Sequence, residues 1–446
     1  MCCHLPVHTD GTGRPRSSPK PAGPGVDDRR KDRVVVVGQG YAGLPVAIRA
    51  VEVGFDVVGF DVDAAKIKRL AAGESPVEDV GNDVLSRALA TGRYEPTDDP
   101  ERTGGFDVAV IDVPTPLSEG VPNLSHVTDA SAMLAASLGA GATVILESTT
   151  YPGTTEGLVA GLLEEGSGLV AGRDFHLGYS PERIDPGNPT WNLVNTPKVV
   201  SGIDEASLEA VRSFFDRLLD QTVPVSGTRE AELTKLLENT FRHVNIALAN
   251  ELAMFAEAMG IDIWEAIDAA STKPFGYLRF TPGPGVGGHC LPIDPSYLSW
   301  EVRRSLGRQF RFVELANDIN AHMPDYVVSR VALGLNRAER SVNGSRILLL
   351  GLSYKPNTGD VRESPGLVIA QGLRSLGADV RVADPHLSSD AADVRRVELT
   401  VEEVRLADVV VIVTDHDVFD YDMVLRHARY VLDTRNRIRG PRVESL

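Results

Sequence analysis

Cysteine is nearly missing from this chain: 446 residues hold only Cys2, Cys3 and Cys290. One internal thiol excludes a disulfide framework, and a reducing cytoplasm is the expected compartment. Long apolar runs are missing too. No stretch of 18 apolar residues occurs, so no membrane span is expected. Net positive charge is also lacking: at a formal charge of −17, neither nucleic acid nor an anionic membrane is an expected partner. Local basic groups can still hold an anionic ligand. No His/Cys cluster has metal-ligand spacing, and no metal is expected. Residues 1–30, rich in Pro, Gly and Ser and without a secretory-type apolar stretch, read as a disordered tail.

What is present is ordinary for a globular protein, with 42% hydrophobic and 24% charged residues. The length predicts two or three domains. DRVVVVGQGYAGLPVAIRAVEVGFDVVGFDVD (residues 32–63) reads as strand, glycine turn, helix and strand. Further strands are expected at 107–111, 142–146 and 198–201. The texture changes near Thr228. From 230 to 260 a long helix is predicted, with Leu233, Leu237, Phe241, Val244, Leu248 and Leu252 forming one apolar stripe. Strand-and-glycine texture restarts at 346–351, and DVVVIVTDHD (408–417) echoes FDVAVIDVPTP (106–116). The expected fold is α/β: two Rossmann-like, doubly wound parallel-sheet domains (31–227 and 337–446) joined by a helical middle domain (228–336). A ligand cleft is expected between the two sheets, beyond the carboxyl ends of their strands.

Gly38-Gln39-Gly40-Tyr41-Ala42-Gly43 fits G-x-G-x-x-G, and here it sits between a predicted strand and a predicted helix. Gly38 would turn the chain, Gly40 admit a pyrophosphate, and Gly43 let helix pack on strand. Asp61, closing the second strand, would accept from ribose hydroxyls and repel a 2′-phosphate, which favours NAD over NADP.

PGPGVGGHCLPIDPSYL (282–298) places the single internal thiol in a loop of four prolines and four glycines. A lone cysteine is often only a small hydrophobe. Against that stand Gly287 and Gly288 just before Cys290, His289 beside it, and Asp294 four residues on. Lys235 and Asn239, one helical turn apart, can hold an oxyanion, and a nearby ammonium lowers a thiol's pKa. NAD beside a nucleophilic thiol suits oxidation of an aldehyde to the acid level. The thiol adds to the carbonyl, the thiohemiacetal loses hydride, and the thioester is hydrolysed. Asp294 is a candidate to assist the water.

With ESTTYPGTT (147–155), SPERIDPGN (180–188), KLLENTFRHVNIALANELA (235–253), GPGVGGHCLPIDP (283–295) and KPNTGDVRES (355–364) in that order, the chain resembles the UDP-glucose/GDP-mannose dehydrogenase family over residues 32–440. The wording is similar to the branch handling UDP-N-acetylhexosamines. The resemblance implies a four-electron oxidation of a nucleotide sugar at C6 with NAD. It implies Cys290 as nucleophile, Lys235 and Asn239 on the oxyanion, Asp294 supporting Lys235 and the water, and Thr149 and Glu182 in water and acid–base roles. Gly38, Gly40, Tyr41, Ala42, Gly43, Asp61, Lys66, Pro114, Thr115, Thr149 and Arg362 would hold NAD. Glu182, Arg183, Lys235, Asn239, Tyr277, Gly285, Gly287, Gly288 and Lys355 would line the sugar-nucleotide site. The substrate is expected to be a UDP- or dTDP-hexose, and a homodimer built on the middle helices is expected. One departure from the family is Asp112, where many relatives carry a small or thiol residue. Two alternatives stand beside it. A two-electron dehydrogenase of another substrate predicts that Cys290→Ser retains turnover. A non-catalytic NAD-binding sensor with Cys290 as a redox switch predicts NAD binding but no NADH with any sugar nucleotide.

Overall fold

The computed structural model describes residues 32–77, 79–185, 188, 190–288, 291–387 and 394–446. The tail read at 1–30 and the thiol of Cys290 lie outside the described residues.

Strands β1 (Arg33–Val37), β2 (Asp56–Phe60), β3 (Tyr94–Thr97) and β4 (Val108–Ile111) open the chain. A small hairpin, β5 (Leu117–Ser118) with β6 (Val121–Pro122), follows. Then come β7 (Thr143–Leu146), β8 (His176–Tyr179), β9 (Lys198–Gly202) and β10 (Thr222–Pro224). Apart from the hairpin these form one sheet in the order β10-β9-β8-β7-β4-β1-β2-β3. All pairs are parallel except β8 with β9. The valines of β1 are buried on both faces, as a central parallel strand requires, and a separate apolar cluster covers each face of the sheet.

The second sheet comprises β11 (Arg346–Leu350), β12 (Asp379–Ala383), β13 (Arg395–Arg396), β14 (Val409–Ile412), β15 (Val431–Asp433) and β16 (Val443–Ser445). It is parallel, in the order β13-β12-β11-β14-β15-β16. The two sheets share a plan, since β3-β2-β1-β4-β7 maps onto β13-β12-β11-β14-β15. The first turn repeats in both: Gly38 donates to the carbonyl of Phe60 at 2.8 Å, and Gly351 to that of Ala383 at 2.9 Å.

Between the sheets lie helices Thr228–Met259, Ile263–Ser271, Asp294–Leu306 and Arg311–Arg337. The first stops at Gly260, whose φ of +70° makes it a left-handed cap. The third begins with Pro295 in its first turn, where a missing N–H costs nothing. The fourth lays Met323, Val327, Val331 and Leu335 on the second sheet.

The apolar stripe of Thr228–Met259 turns away from this chain's core. Leu233, Leu237, Phe241, Leu248 and Leu252 are between 42% and 62% exposed. The buried side carries Ala247, Ala253 and Ala256 with Glu232, Lys235, His243 and Asn250. Ala253 and Ala256 pack on Ile263, Trp264 and Ile267, while Ala247 lets the Arg311–Arg337 helix come close, against Ala316 and Ile319. Two of the polar ones are satisfied there: Asn250 donates to Asn320 at 2.9 Å, and His243 faces Asn317 at 2.8 Å. Among the described residues, no helix is long and apolar enough to cross a membrane.

Candidate active site

The glycine turn has the space that a dinucleotide needs. A Cβ on Gly38, whose φ is +97°, would lie 1.9 Å from the carbonyl oxygen of Asp112. One on Gly43 would lie 2.0 Å from that of Gly38, so both glycines permit close packing of backbone on backbone. At Gly40 a Cβ would meet nothing within 4 Å among the described residues, which leaves the pyrophosphate approach clear. Tyr41 and Ala42 complete the turn and lead into the helix Gly43–Glu52. Asp61 is buried at the end of β2. It accepts from the Gln39 N–H at 2.9 Å, the Asp63 N–H at 3.0 Å and Lys66 Nζ at 2.7 Å. Asp61 and Lys66 therefore stand together where ribose hydroxyls would arrive. Gln39 is held in turn by the Tyr94 hydroxyl at 2.7 Å.

A second group of side chains gathers beyond the carboxyl ends of β4, β7 and β8. Asp112 follows β4, Glu147 and Thr149 follow β7, and Glu182 follows β8. Because β9 runs antiparallel to β8, its first residue, Lys198, returns to the same edge. Lys198 pairs directly with Glu147, lies 3.7 Å from Glu182, and donates to the carbonyl of Pro181 at 3.3 Å. Burial pushes Glu147 up to about 8 against the pull of Lys198, and pushes Asp112 up to about 7 with Glu182 adding to it. One oxygen each of Glu147 and Glu182 is buried and has no hydrogen-bond partner among the described residues.

The long helix supplies the remaining groups. Lys235, buried, donates to the backbone carbonyl of Glu182. One turn on, Asn239 donates to Asp294 at 2.5 Å, joining this helix to the start of Asp294–Leu306. Asp294 is 3% exposed. Burial raises its pKa to about 6, with the charge of Lys235 and the Asn239 hydrogen bond opposing the rise. The structure thus brings together Lys235, Asn239, Asp294 and Glu182, four of the residues singled out from the sequence. Thr115 is buried, and its side chain bonds to the hydroxyl of Tyr297 on the Asp294 helix. Pro114 stays at the surface beside it. Arg183 bonds to Glu238 at 2.6 Å and to the Pro197 carbonyl at 2.5 Å, and Tyr277 lies exposed.

The glycine loop ahead of Cys290 packs against the second sheet's first loop. A Cβ on Gly287 would meet Tyr354 and the carbonyl of Glu363 at 2.7 Å, and one on Gly288 would meet the Tyr354 ring at 2.9 Å. Gly285 has a φ of +132° and lies against Pro365. Gly288 donates to the carbonyl of Arg362 at 2.9 Å, and the Arg362 guanidinium stands 5.4 Å from the ring of Tyr41 in the dinucleotide turn. Lys355 reaches Asp185 at 3.2 Å. Residues 353–365 therefore touch the glycine loop, the dinucleotide turn and the β8 loop together.

Three residues here went unread in the sequence. Glu147 stood inside a quoted motif, and Lys198 opens an otherwise apolar strand, which is a visible sign of a buried partner. Glu232 accepts from Gly153 at 2.5 Å and from Thr155 N and Oγ1 at 2.9 and 2.7 Å, tying the loop after Thr149 to the helix one turn before Lys235. Burial pushes it up to about 7. Among the described residues, no group of three His, Cys, Asp or Glu is placed to hold a metal ion.

A parallel sheet with this turn and this acid, next to a lysine–amide–carboxylate group, defines an NAD-dependent oxidoreductase. The family follows from comparison with known proteins. Models of the UDP-glucose/GDP-mannose dehydrogenase family match the chain in three parts: the NAD-binding domain over residues 32–219, the central domain over 229–322 and the UDP-binding domain over 348–440. The chain belongs to that family. It is similar to the UDP-N-acetyl-D-mannosamine dehydrogenase of Pyrococcus horikoshii, at 36% identity over 92% of this chain and 97% of that one. Against the UDP-N-acetyl-D-glucosamine 6-dehydrogenase of Pseudomonas aeruginosa, identity is 37% over 81% of this chain and 84% of that one. The solved UDP-D-ManNAc dehydrogenase of Pyrococcus horikoshii superposes with a TM-score of 0.85 at 35% identity, covering 93% of this chain and 98% of that one.

Proposed function

We propose that the protein oxidises the C6 alcohol of a UDP-N-acetylhexosamine to the carboxylate, a four-electron reaction running through Cys290. The observation that carries this reading is the convergence of Lys235, Asn239 and Asp294 from two helices, with Asp294 only four residues beyond the thiol. The two relatives above differ in the sugar that their names give but share UDP and a 2-acetamido group, which supports that substrate class over dTDP-glucose or UDP-glucose.

Bound NAD would supply the hydride acceptor, with two molecules consumed per sugar. Gly38, Gly40, Tyr41, Ala42, Gly43, Asp61 and Lys66 would hold its adenosine and pyrophosphate, and Pro114, Thr115, Thr149 and Arg362 the remainder. Cys290 Sγ would add to the C6 aldehyde carbon, forming a thiohemiacetal and later a thioester. Lys235 Nζ and Asn239 Nδ2 would donate to the oxygen as charge develops on it. Asp294 would take the proton of the water that releases the acid, and Thr149 and Glu182 would position that water. Arg183, Tyr277, Gly285, Gly287, Gly288 and Lys355 would line the nucleotide-sugar side. The overall balance consumes one water and releases three protons.

The same reading divides the chain at 31–227, 228–336 and 337–446, places it in the cytoplasm, and makes it a homodimer whose contact is the exposed stripe of Thr228–Met259. The test is a panel of UDP-GlcNAc, UDP-ManNAc, UDP-glucose and dTDP-glucose with NADH counted per sugar consumed. Two per UDP-N-acetylhexosamine is expected, with Cys290→Ser unable to complete the second oxidation. One per sugar, or full turnover by Cys290→Ser, overturns the assignment.

A further inference from the structure

The segment Thr414-Asp415-His416-Asp417, which follows β14, takes no part in the chemistry above, yet Thr414, His416 and Asp417 all bond to the loop that carries Lys355. Thr414 Oγ1 donates to the carbonyl of Ser353 at 2.6 Å. His416 Nδ1 accepts from the Asn357 N–H at 2.9 Å. Because that nitrogen accepts, the ring proton of neutral His416 sits on Nε2. Nε2 faces Asp384 Oδ2 at 3.1 Å and Ser353 Oγ at 3.3 Å. Asp384 closes the circuit by accepting from Leu352 N at 2.7 Å and Ser353 N at 3.2 Å. Asp417 and Asn357 exchange two further bonds, at 2.8 and 3.0 Å, and they hold Asn357 at a φ of +60°. The side chains of His416 and Asp384 are wholly buried.

We propose that His416, with Thr414 and Asp417, is a positioning device that sets the 353–357 loop, and so the placement of Lys355 on a nucleotide diphosphate. The proposal rests on the reading of Lys355 as a substrate-binding residue. Being buried, His416 acts through the loop and not by touching the substrate. A flat ring with an acceptor on one side and a donor on the other spans Asn357 and Asp384 at once, which no shorter polar side chain does. The loop's other face extends the effect, since Tyr354 lies against Gly287 and Gly288 at the entrance to the thiol segment.

The two halves of the imidazole can be removed separately. In His416→Asn the amide oxygen stands near the Nδ1 position and keeps an acceptor for Asn357. In His416→Gln the amide nitrogen reaches toward Asp384 and that acceptor is lost. UDP and NAD serve as probes, each titrated calorimetrically into the full-length enzyme. His416→Gln is expected to weaken UDP binding about tenfold and to leave NAD affinity within twofold, whereas His416→Asn retains UDP affinity within about threefold. Equal losses in both variants, or NAD affinity falling in step with UDP, would mean general structural damage and overturn the proposal. Lys355→Ala separates the premises: if it leaves UDP binding unchanged, the reading of Lys355 is wrong. If it weakens UDP binding while His416→Gln does not, the positioning role is wrong. Should the histidine variants not fold, Thr414→Val removes a single loop bond at nearly constant volume. It is expected to weaken UDP binding several-fold with NAD unaffected, and unchanged UDP affinity would overturn the proposal.

Discussion

Alanine at Gly38 and alanine at Gly40 are expected to fail in different ways, although the two glycines are two residues apart. At Gly38 the added methyl would sit 1.9 Å from the Asp112 carbonyl oxygen, on a backbone whose φ is +97°. The left-handed conformation costs a residue with a Cβ about 1–2 kcal/mol, and forcing a methyl into packed backbone costs about 1–3 kcal/mol more. For a domain of this size that corresponds to a melting-temperature fall of roughly 5–15 °C. At Gly40 the methyl would meet nothing within 4 Å among the described residues and the backbone is unstrained, so the free protein is expected to melt within about 2 °C of wild type. The open space at Gly40 is where the pyrophosphate would come closest. The methyl then displaces the ligand, and NAD affinity is expected to fall roughly tenfold or more. Thermal melts of both variants without ligand, followed by NAD titration, check the contrast. A Gly40→Ala protein that binds NAD normally would refute the cradle, and a Gly38→Ala protein with unchanged melting would refute the packing on Asp112.

Other perturbations test the neighbouring groups. Burial holds Asp294 at about 6, above the ordinary carboxylate range, and only its ionised form can take a proton from water. Turnover is therefore expected to rise through about pH 6 and level off above it. Lys235→Ala removes a charge that favours the ionised form, so the residual activity should show the same limb at higher pH; a limb that stays in place contradicts this pairing. Leu237→Glu with Leu248→Glu places charges on the exposed stripe, and light scattering is expected to show monomers. With about 1.5–3 kcal/mol per buried leucine, dimer dissociation should strengthen at least about a hundredfold, and an unchanged assembly would remove that stripe from the interface.

Much of the fold was legible in short-range pattern. The valine run of β1, the glycine turn and Asp61 stand at fixed spacing, and a parallel strand followed by a helix leaves few ways to arrange them. Lys235 and Asn239 were readable together because one helical turn aligns them. The stripe of Thr228–Met259 was readable as a stripe, but periodicity does not reveal which side of a helix meets its own chain. Alanines packed on the Ile263–Ser271 and Arg311–Arg337 helices, with paired amides facing the latter, made the more polar side the buried one.

By itself, the sequence determined the two sheets, the dinucleotide turn, and the kinds of side chain available for chemistry, since each depends on residues near one another along the chain. Only the tertiary structure decided which of them meet. Asn239 and Asp294 are 55 positions apart, and Lys198 and Glu147 are 51. His416 bonds to Asn357 from 59 positions away. Such contacts arise where strand ends and helix faces converge in space, and no local spacing encodes that convergence.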